Sequence, residues 1–535
     1  MGGKERIREE IEVSFPSLFF QLFVKLLQGE MEGFISYLAG KRNQQRARID
    51  KMTHHELPEY LDGLPNICGS EDLVNQAAAR SGPIYLSESG IDFGRIRSAF
   101  SIALHMHQPL IPAGGGDLRT AAIISNLKCM MDNQGIGDNH NAPAFHWCYK
   151  RMGEFIPQLV HEGKQPRVML DYSGCLLHGL RAMGLHDVFD NLKKITLEPA
   201  YRRSVEWLGT AWGHAVAPST PVQDFRLHVR AWQHHFASIF GLEAVSRVKG
   251  FSPPEMALPN QPDVCYEFVR TIKDCGYQWV LVQEHSVEHE DGSGIRHSRI
   301  PHRLVARNSR GERLSITAMI KTQGSDTKLI GQMQPYYEAR GLARVELAGK
   351  PIPPLVTQIS DGENGGVMMN EFPPKYLDVI REASGSDTPP VNVSEYLEYL
   401  TTLGLREEDY PSIQPIMQKR IWERFSEPAG PQALEKVIEE LRKQDGRFHM
   451  EGGSWTNNLS WVRGYAQVLG PIERTSALFD DKTRGALPSN PKYRNALFHL
   501  LVTQTSCYRY WGSGVWTDYA RELCRRTSEI LHYDF

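Results

Sequence analysis

The hydrophobic and polar positions of this chain fall into distinct textures. From Arg97 onward, short aliphatic and β-branched runs recur between longer segments of helical spacing, the alternation expected of βα units. Seven runs read as strands: Ala99 to His105, Val168 to Asp171, Trp207 to Trp212, Val248 to Ser252, Trp279 to Gln283, Leu314 to Ile320 and Leu355 to Ile359. Beyond about residue 372 the strand pattern stops and helical patterns take over, as in Gln432 to Lys443 and Tyr493 to Cys507. Residues 1–95 are rich in charge and helix formers and lack a strand pattern; their basic run, Lys41 to Arg48, reads as a solvated helix face. The expected organisation is a helical N-terminal extension over 1–95, an α/β barrel over 96–372 and a C-terminal helical domain over 373–535.

Composition narrows the class. A chain of 535 residues exceeds the size at which single cores stop growing, about 250 to 300 residues, so more than one domain is expected. The net charge of -3 provides no broad cationic field, which argues against nucleic acid as a partner. Eight cysteines are scattered without a CxxC pair, so neither a zinc ribbon nor a disulfide scaffold is suggested and a reducing cytoplasm fits. The charged start, MGGKERIREE, lacks the apolar core of a signal peptide. The apolar stretch Phe15 to Leu27 is broken by Gln21 and Lys25 and is shorter than the roughly 20 residues a bilayer demands, so it reads as a packed helix and no membrane span is expected. No repeat or low-complexity tract stands out, and the sequence carries no signal of oligomeric state.

Four polar clusters follow strand runs, where α/β barrels gather their chemistry. In LHMHQP (Leu104 to Pro109), His105 and His107 share one face of a strand by its period of two, as metal ligands, substrate-binding groups or structural histidines. In GTAWGHAVAP (Gly209 to Pro218), Trp212 stands beside His214, an indole suited to stacking on a sugar and an imidazole suited to bonding its hydroxyls, or simply packing. In GFSPPEMALP (Gly250 to Pro259), Pro253, Pro254 and Pro259 stiffen the loop that holds Glu255, a carboxylate that reads as a fixed nucleophile or an ordinary loop residue. In TQISDGENGG (Thr357 to Gly366), Asp361 is followed by glycines that let the backbone turn close to a ligand; a calcium loop is the other reading, although the spacing is not that of an EF-hand. Two carboxylates flanking a scissile bond are what glycoside cleavage requires.

In this order the clusters resemble the sequence regions of glycoside hydrolase family 57: the HxHQP start, a histidine followed four residues later by proline, a PE nucleophile loop and DGEN. The likeness covers residues 97–370 and extends to EGGSWTNNLSW (Glu451 to Trp461). It implies an incomplete (β/α)7 barrel with a helical domain, a retaining mechanism on an α-linked glucan or oligosaccharide, and no cofactor or required metal. It implies Glu255 as nucleophile and Asp361 as acid/base. His105, His107, His214, Trp212, Trp455 and Trp461 are then candidate substrate-site residues. Two departures bear on specificity: Ala217 precedes Pro218 where a bulky aliphatic is usual, and Ser252 stands where many members carry Trp. Two other functions use the same residues: a metal-dependent carbohydrate deacetylase or hydrolase built on His105, His107 and Asp171 or Asp361, and a catalytically silent glucan-binding protein.

Overall fold

The computed structural model describes residues 56–321, 330–363, 371–426, 428–454, 459, 466–510 and 514–535. Seven parallel strands close into a barrel: β1 (Ala99–Met106), β2 (Val168–Tyr172), β3 (Val205–Gly209), β4 (Gly250–Phe251), β5 (Trp279–Gln283), β6 (Arg313–Lys321) and β7 (Leu355–Asp361). Neighbours follow chain order from β1 to β6, and β7 closes the ring between β6 and β1. All seven expected runs are strands. β3 begins and ends earlier than the run Trp207 to Trp212, because the chain turns after Gly209 to form the His214 loop.

Side-chain alternation explains why the runs read as nearly continuous apolar stretches. One face of each strand fills the barrel and the other packs beneath helices, so both faces are dry. Ala99, Ala103, Met169, Leu208, Trp279, Leu281, Met319, Leu355 and Ile359 form one inward cluster. Opposite faces hold residues such as Trp207, which packs on Phe236 and Phe240 of helix α2 (Val222–Phe240). Helix α1 (Gly174–Ala182) follows β2 and is N-capped by Ser173.

The N-terminal mouth of the barrel is plugged by helix α3 (Val393–Thr402), whose Val393, Tyr396 and Leu400 join the inward cluster. Its Asn392 and Glu395 form a reciprocal capping box. Three further helices, α4 (Ala466–Lys482), α5 (Pro491–Thr503) and α6 (Val515–Asp534), pack on one another. Among the described residues no helix is long and apolar enough to cross a membrane.

Three expectations differ from the structure. Leu57–Phe535 is a single compact unit, so 57–95 is not part of a separate extension. Phe93 packs into the barrel cluster, and polar contacts add to it: the Glu398 carboxylate accepts the backbone N–H groups of Ile84, Tyr85 and Leu86, and Lys249 Nζ donates to the carbonyls of Ala78 and Arg80. Strands also continue past residue 372. Ser412–Pro415 pairs in parallel with His302–Arg307, itself antiparallel to β6, forming a flap beside the barrel. A four-residue strand is too short to register as a period in the sequence. Finally, the expected boundary at 372 is not a seam, since α3 is part of the barrel core. Phe15 to Leu27 and the basic run at 41–48 lie outside the described residues.

Candidate active site

The inward faces of β1, β2 and β7 end on His105, Asp171 and Asp361, one alternation step beyond the apolar Ala103, Met169 and Ile359. His105 is the register partner of both Asp171 and Asp361, and its carbonyl accepts the N–H of Gly362 at 2.8 Å. At Gly362 a Cβ would sit 2.2 Å from the Met106 methyl, so any larger residue there displaces the end of that buried side chain. Ser252 continues β4, donating its N–H to the Gly209 carbonyl at 2.8 Å, and the prolines that follow carry the chain into the Glu255 turn.

Three imidazoles form a stack. The His214 ring lies 4.0 Å from that of His107 and 4.6 Å from that of His105, centroid to centroid. His214 Nδ1 is 3.7 Å from Glu255 Oε1. Both residues occupy the left-handed region, with φ of 58° at His214 and 61° at Glu255, and Met256 follows at 51°. A non-glycine residue pays for that conformation, and consecutive cases cluster at functional sites.

Electrostatics separates the three rings. Burial alone would depress the His105 pKa, but the charge and 2.9 Å hydrogen bond of Asp171, then the charges of Asp361 and Glu255, outweigh it and raise the value to about 9. Burial, and next the His105 charge, push His107 well below its ordinary value. His214 is pushed down in the same way, by burial and then by its histidine neighbours. The site thus holds one imidazolium and two neutral imidazoles.

Glu363 supplies a fourth carboxyl. Its Oε1 accepts the His107 N–H and the Tyr149 hydroxyl, each at 2.8 Å. Burial, and then the charge of Asp361, raise its pKa to about 8, so near neutrality it holds its proton. Buried Arg151 donates from Nη2 to the Gly362 carbonyl at 3.1 Å, holding the peptide behind Asp361.

The sequence reading identified Glu255, Asp361, His105, His107 and His214, and the structure gathers all five at the C-terminal mouth. Trp212 is a correction: it is fully buried, its indole N–H donates to His235 Nδ1 at 3.1 Å, and its ring packs on Gly174 and Phe498. It supports the His214 loop from behind and offers no face to a sugar. Trp455 and Trp461 lie outside the described residues. Asp171 figured only as a metal ligand in the alternative reading; here it is the partner of His105. Ser173, Thr505, Ser506 and Cys507, which touch His107 or His214, were not singled out, because isolated small polar residues carry no pattern. No group of three or more His, Cys, Asp or Glu among the described residues is arranged to hold a metal ion.

The family model for Glycosyl hydrolase family 57 matches residues 101–401, more than half of the chain. The chain belongs to this family. All four clusters of this family 57 chain fall within the matched range. Among solved structures it is similar to the 4-alpha-glucanotransferase of Thermococcus litoralis, with 15% identity and a TM-score of 0.50 over 82% of this chain and 60% of that one. It therefore spans less than two thirds of that protein's chain, and the likeness concerns the fold. The exo-type maltose-forming amylase of Pyrococcus sp. ST04 aligns at 12% identity and TM-score 0.47, covering 82% of this chain and 79% of that one. The family 57 branching enzyme of Pyrococcus horikoshii aligns at 13% and 0.42, covering 82% and 89%. No curated protein sequence matches it significantly.

Proposed function

We propose that this family 57 protein is a retaining glycoside hydrolase or transglycosylase acting on α-linked glucans, with Glu255 as nucleophile and Asp361 as acid/base. The observation that carries the reading is that the two carboxylates converge on one histidine stack: Asp361 is the strand partner of His105, and Glu255 lies 3.7 Å from His214, whose ring stacks on His105 at 4.6 Å. Asp361 protonates the leaving glycosidic oxygen as Glu255 attacks the anomeric carbon, giving a glycosyl ester on Glu255. Asp361 then takes a proton from water or from a sugar hydroxyl, which attacks the ester and frees Glu255. Hydrolysis and transfer share that ester and differ only in the acceptor.

The neutral imidazoles of His107 and His214 suit hydrogen bonding to sugar hydroxyls, and the His105 cation offsets the negative charge of two carboxylates. Left-handed backbone at Glu255 fixes its approach, which suits a step demanding narrow geometry. The 4-alpha-glucanotransferase named above transfers α-linked glucan by its name, which supports that substrate class. All eight cysteines are free thiols, in keeping with a reducing, cytoplasmic setting.

The test is chromatographic product analysis after incubating wild type and Glu255→Gln with maltooligosaccharides, amylose, pullulan and glycogen in the presence of chelator. Products from wild type alone are expected, and their lengths separate hydrolysis from transfer. Turnover by Glu255→Gln, or turnover abolished by chelator, would overturn the assignment; sugar binding without products from wild type would favour a silent binder.

A further inference from the structure

The chain after α5 returns to the active site and lies against the His214 loop. Gln504 Oε1 is 2.9 Å from His228 Nε2, and His228 Nδ1 accepts the Gly213 N–H at 3.0 Å. Thr505 bridges Ala215 in antiparallel fashion, and the Ser506 N–H donates to the His214 carbonyl at 3.1 Å. No Cβ fits at Gly213, where it would meet the Leu501 carbonyl at 2.5 Å. The loop that carries left-handed His214 is thus clamped backbone to backbone by a segment outside the 101–401 range of the family match.

Ser506 also reaches the ring. Its Oγ is 2.7 Å from His214 Nδ1, the nitrogen that faces Glu255. The other nitrogen, Nε2, is buried and has no hydrogen-bond partner among the described residues. A neutral imidazole carries one proton, and its location decides whether Nε2 donates or accepts. One feature favours Nδ1: the Glu255 carboxylate stands on that side, 3.7 Å from it, where it attracts an N–H, while the Ser506 oxygen at 2.7 Å can accept the same proton.

We infer that Ser506 is a positioning residue that fixes His214 as the Nδ1–H tautomer, so that Nε2 is presented to the substrate as a hydrogen-bond acceptor for a sugar hydroxyl. The inference rests on the glycosidase reading for its substrate but not for the tautomer. Ser506 does not touch the sugar; it acts through His214. A ring free to rotate or to hold its proton on Nε2 would donate to the sugar hydroxyl instead of accepting from it, so the direction of the contact and the orientation of that hydroxyl would no longer be fixed.

The test uses the full chain with 15N-labelled histidine. Two-bond and three-bond 1H–15N correlations report which nitrogen is protonated, the His214 signals being those absent from His214→Gln. The Nδ1–H pattern is expected in wild type and Ser506→Thr, with a mixture in Ser506→Ala. On maltooligosaccharides Ser506→Ala should lose about tenfold in kcat with little change in KM, the loss of one oriented hydrogen bond, and Ser506→Thr should recover most of it. An Nε2–H pattern in wild type, or an unchanged pattern in folded Ser506→Ala, would overturn the inference. If wild type turns over no glucan while the tautomer behaves as expected, the glycosidase reading fails and the role of Ser506 in fixing the ring stands.

Discussion

Both mouths of the barrel bury charge, and they do so in opposite ways. At the N-terminal mouth the buried carboxyls are held by hydrogen-bond donors on the plug and the strand ends. Arg167 meets Glu395 through two hydrogen bonds of 2.9 and 3.0 Å, both side chains 1% exposed, and Glu395 also accepts the Asn392 N–H. The Glu206 carboxyl is bonded by the Ser394 N–H and hydroxyl, and that serine oxygen accepts the Trp279 indole N–H. At the C-terminal mouth, Glu255, Asp361, Asp171 and Glu363 surround a single imidazolium, and the backbone is left-handed at His214, Glu255 and Met256. Charge at a barrel mouth therefore has two meanings. Matched donors and acceptors lock a plug in place, whereas crowded like charges and a strained turn keep groups poised to exchange protons.

The comparison can be broken most sharply at Asp361. Asp361→Asn should lower kcat by about 10⁴-fold on natural glucans and far less on glycosides with activated leaving groups, with the thermal midpoint nearly unchanged. Equal losses on both substrates, measured by steady-state kinetics, would remove the proton-donor role. At the opposite mouth, Glu395→Ala leaves Arg167 buried without its carboxylate and should cost about 3 to 5 kcal/mol in urea unfolding, with kcat per folded molecule preserved. A loss of activity larger than the loss of folded protein would show that the two mouths are coupled.

Asp171→Asn sharpens the electrostatic half. Without the Asp171 charge and hydrogen bond, burial dominates and the His105 pKa falls from about 9, so the imidazolium is lost at lower pH; the alkaline limb of kcat/KM should move down by about three units, with about 10²-fold less activity at pH 8. A pH–rate profile unmoved by the substitution would assign that limb elsewhere.

The smallest effect concerns Glu206. Burial, only partly offset by the Ser394 bonds, raises its pKa from 4.5 to about 7. Its proton is therefore held more tightly in the folded chain, and its contribution to stability is full below pH 4.5 and is lost as pH rises through 7. Glu206→Gln should match wild type near pH 4 and gain on it by about 2 kcal/mol at pH 8, read as the difference between paired unfolding curves. A constant difference across pH would show that Glu206 ionises with no folding linkage.

Much of this was legible in the sequence, for identifiable reasons. The seven barrel strands stand out because each is dry on both faces, and the carboxylates and histidines stand out because they end those runs or sit beside prolines and glycines. Trp212 was misread because an indole beside a histidine has the same spelling whether it faces a sugar or fills a core; only packing on Gly174 and Phe498 decides. The attachment of 57–95 was illegible because it depends on single long-range acceptors, such as Glu398 receiving three backbone N–H groups 312 to 314 residues away. Ser506 was missed for the same reason, since its meaning comes from a contact with His214, 292 residues earlier.

That last separation has a consequence during synthesis. The ribosome delivers the chain from the N-terminus at about 5 to 20 residues per second. The barrel cannot shut until β7 emerges to join β1, and the His214 loop gains its clamp only when Gln504 to Ser506 arrive. Nascent chains therefore carry their carboxylates for many seconds without a finished pocket around them, and a message cut short before codon 504 yields a barrel that has every catalytic carboxylate and none of the clamp.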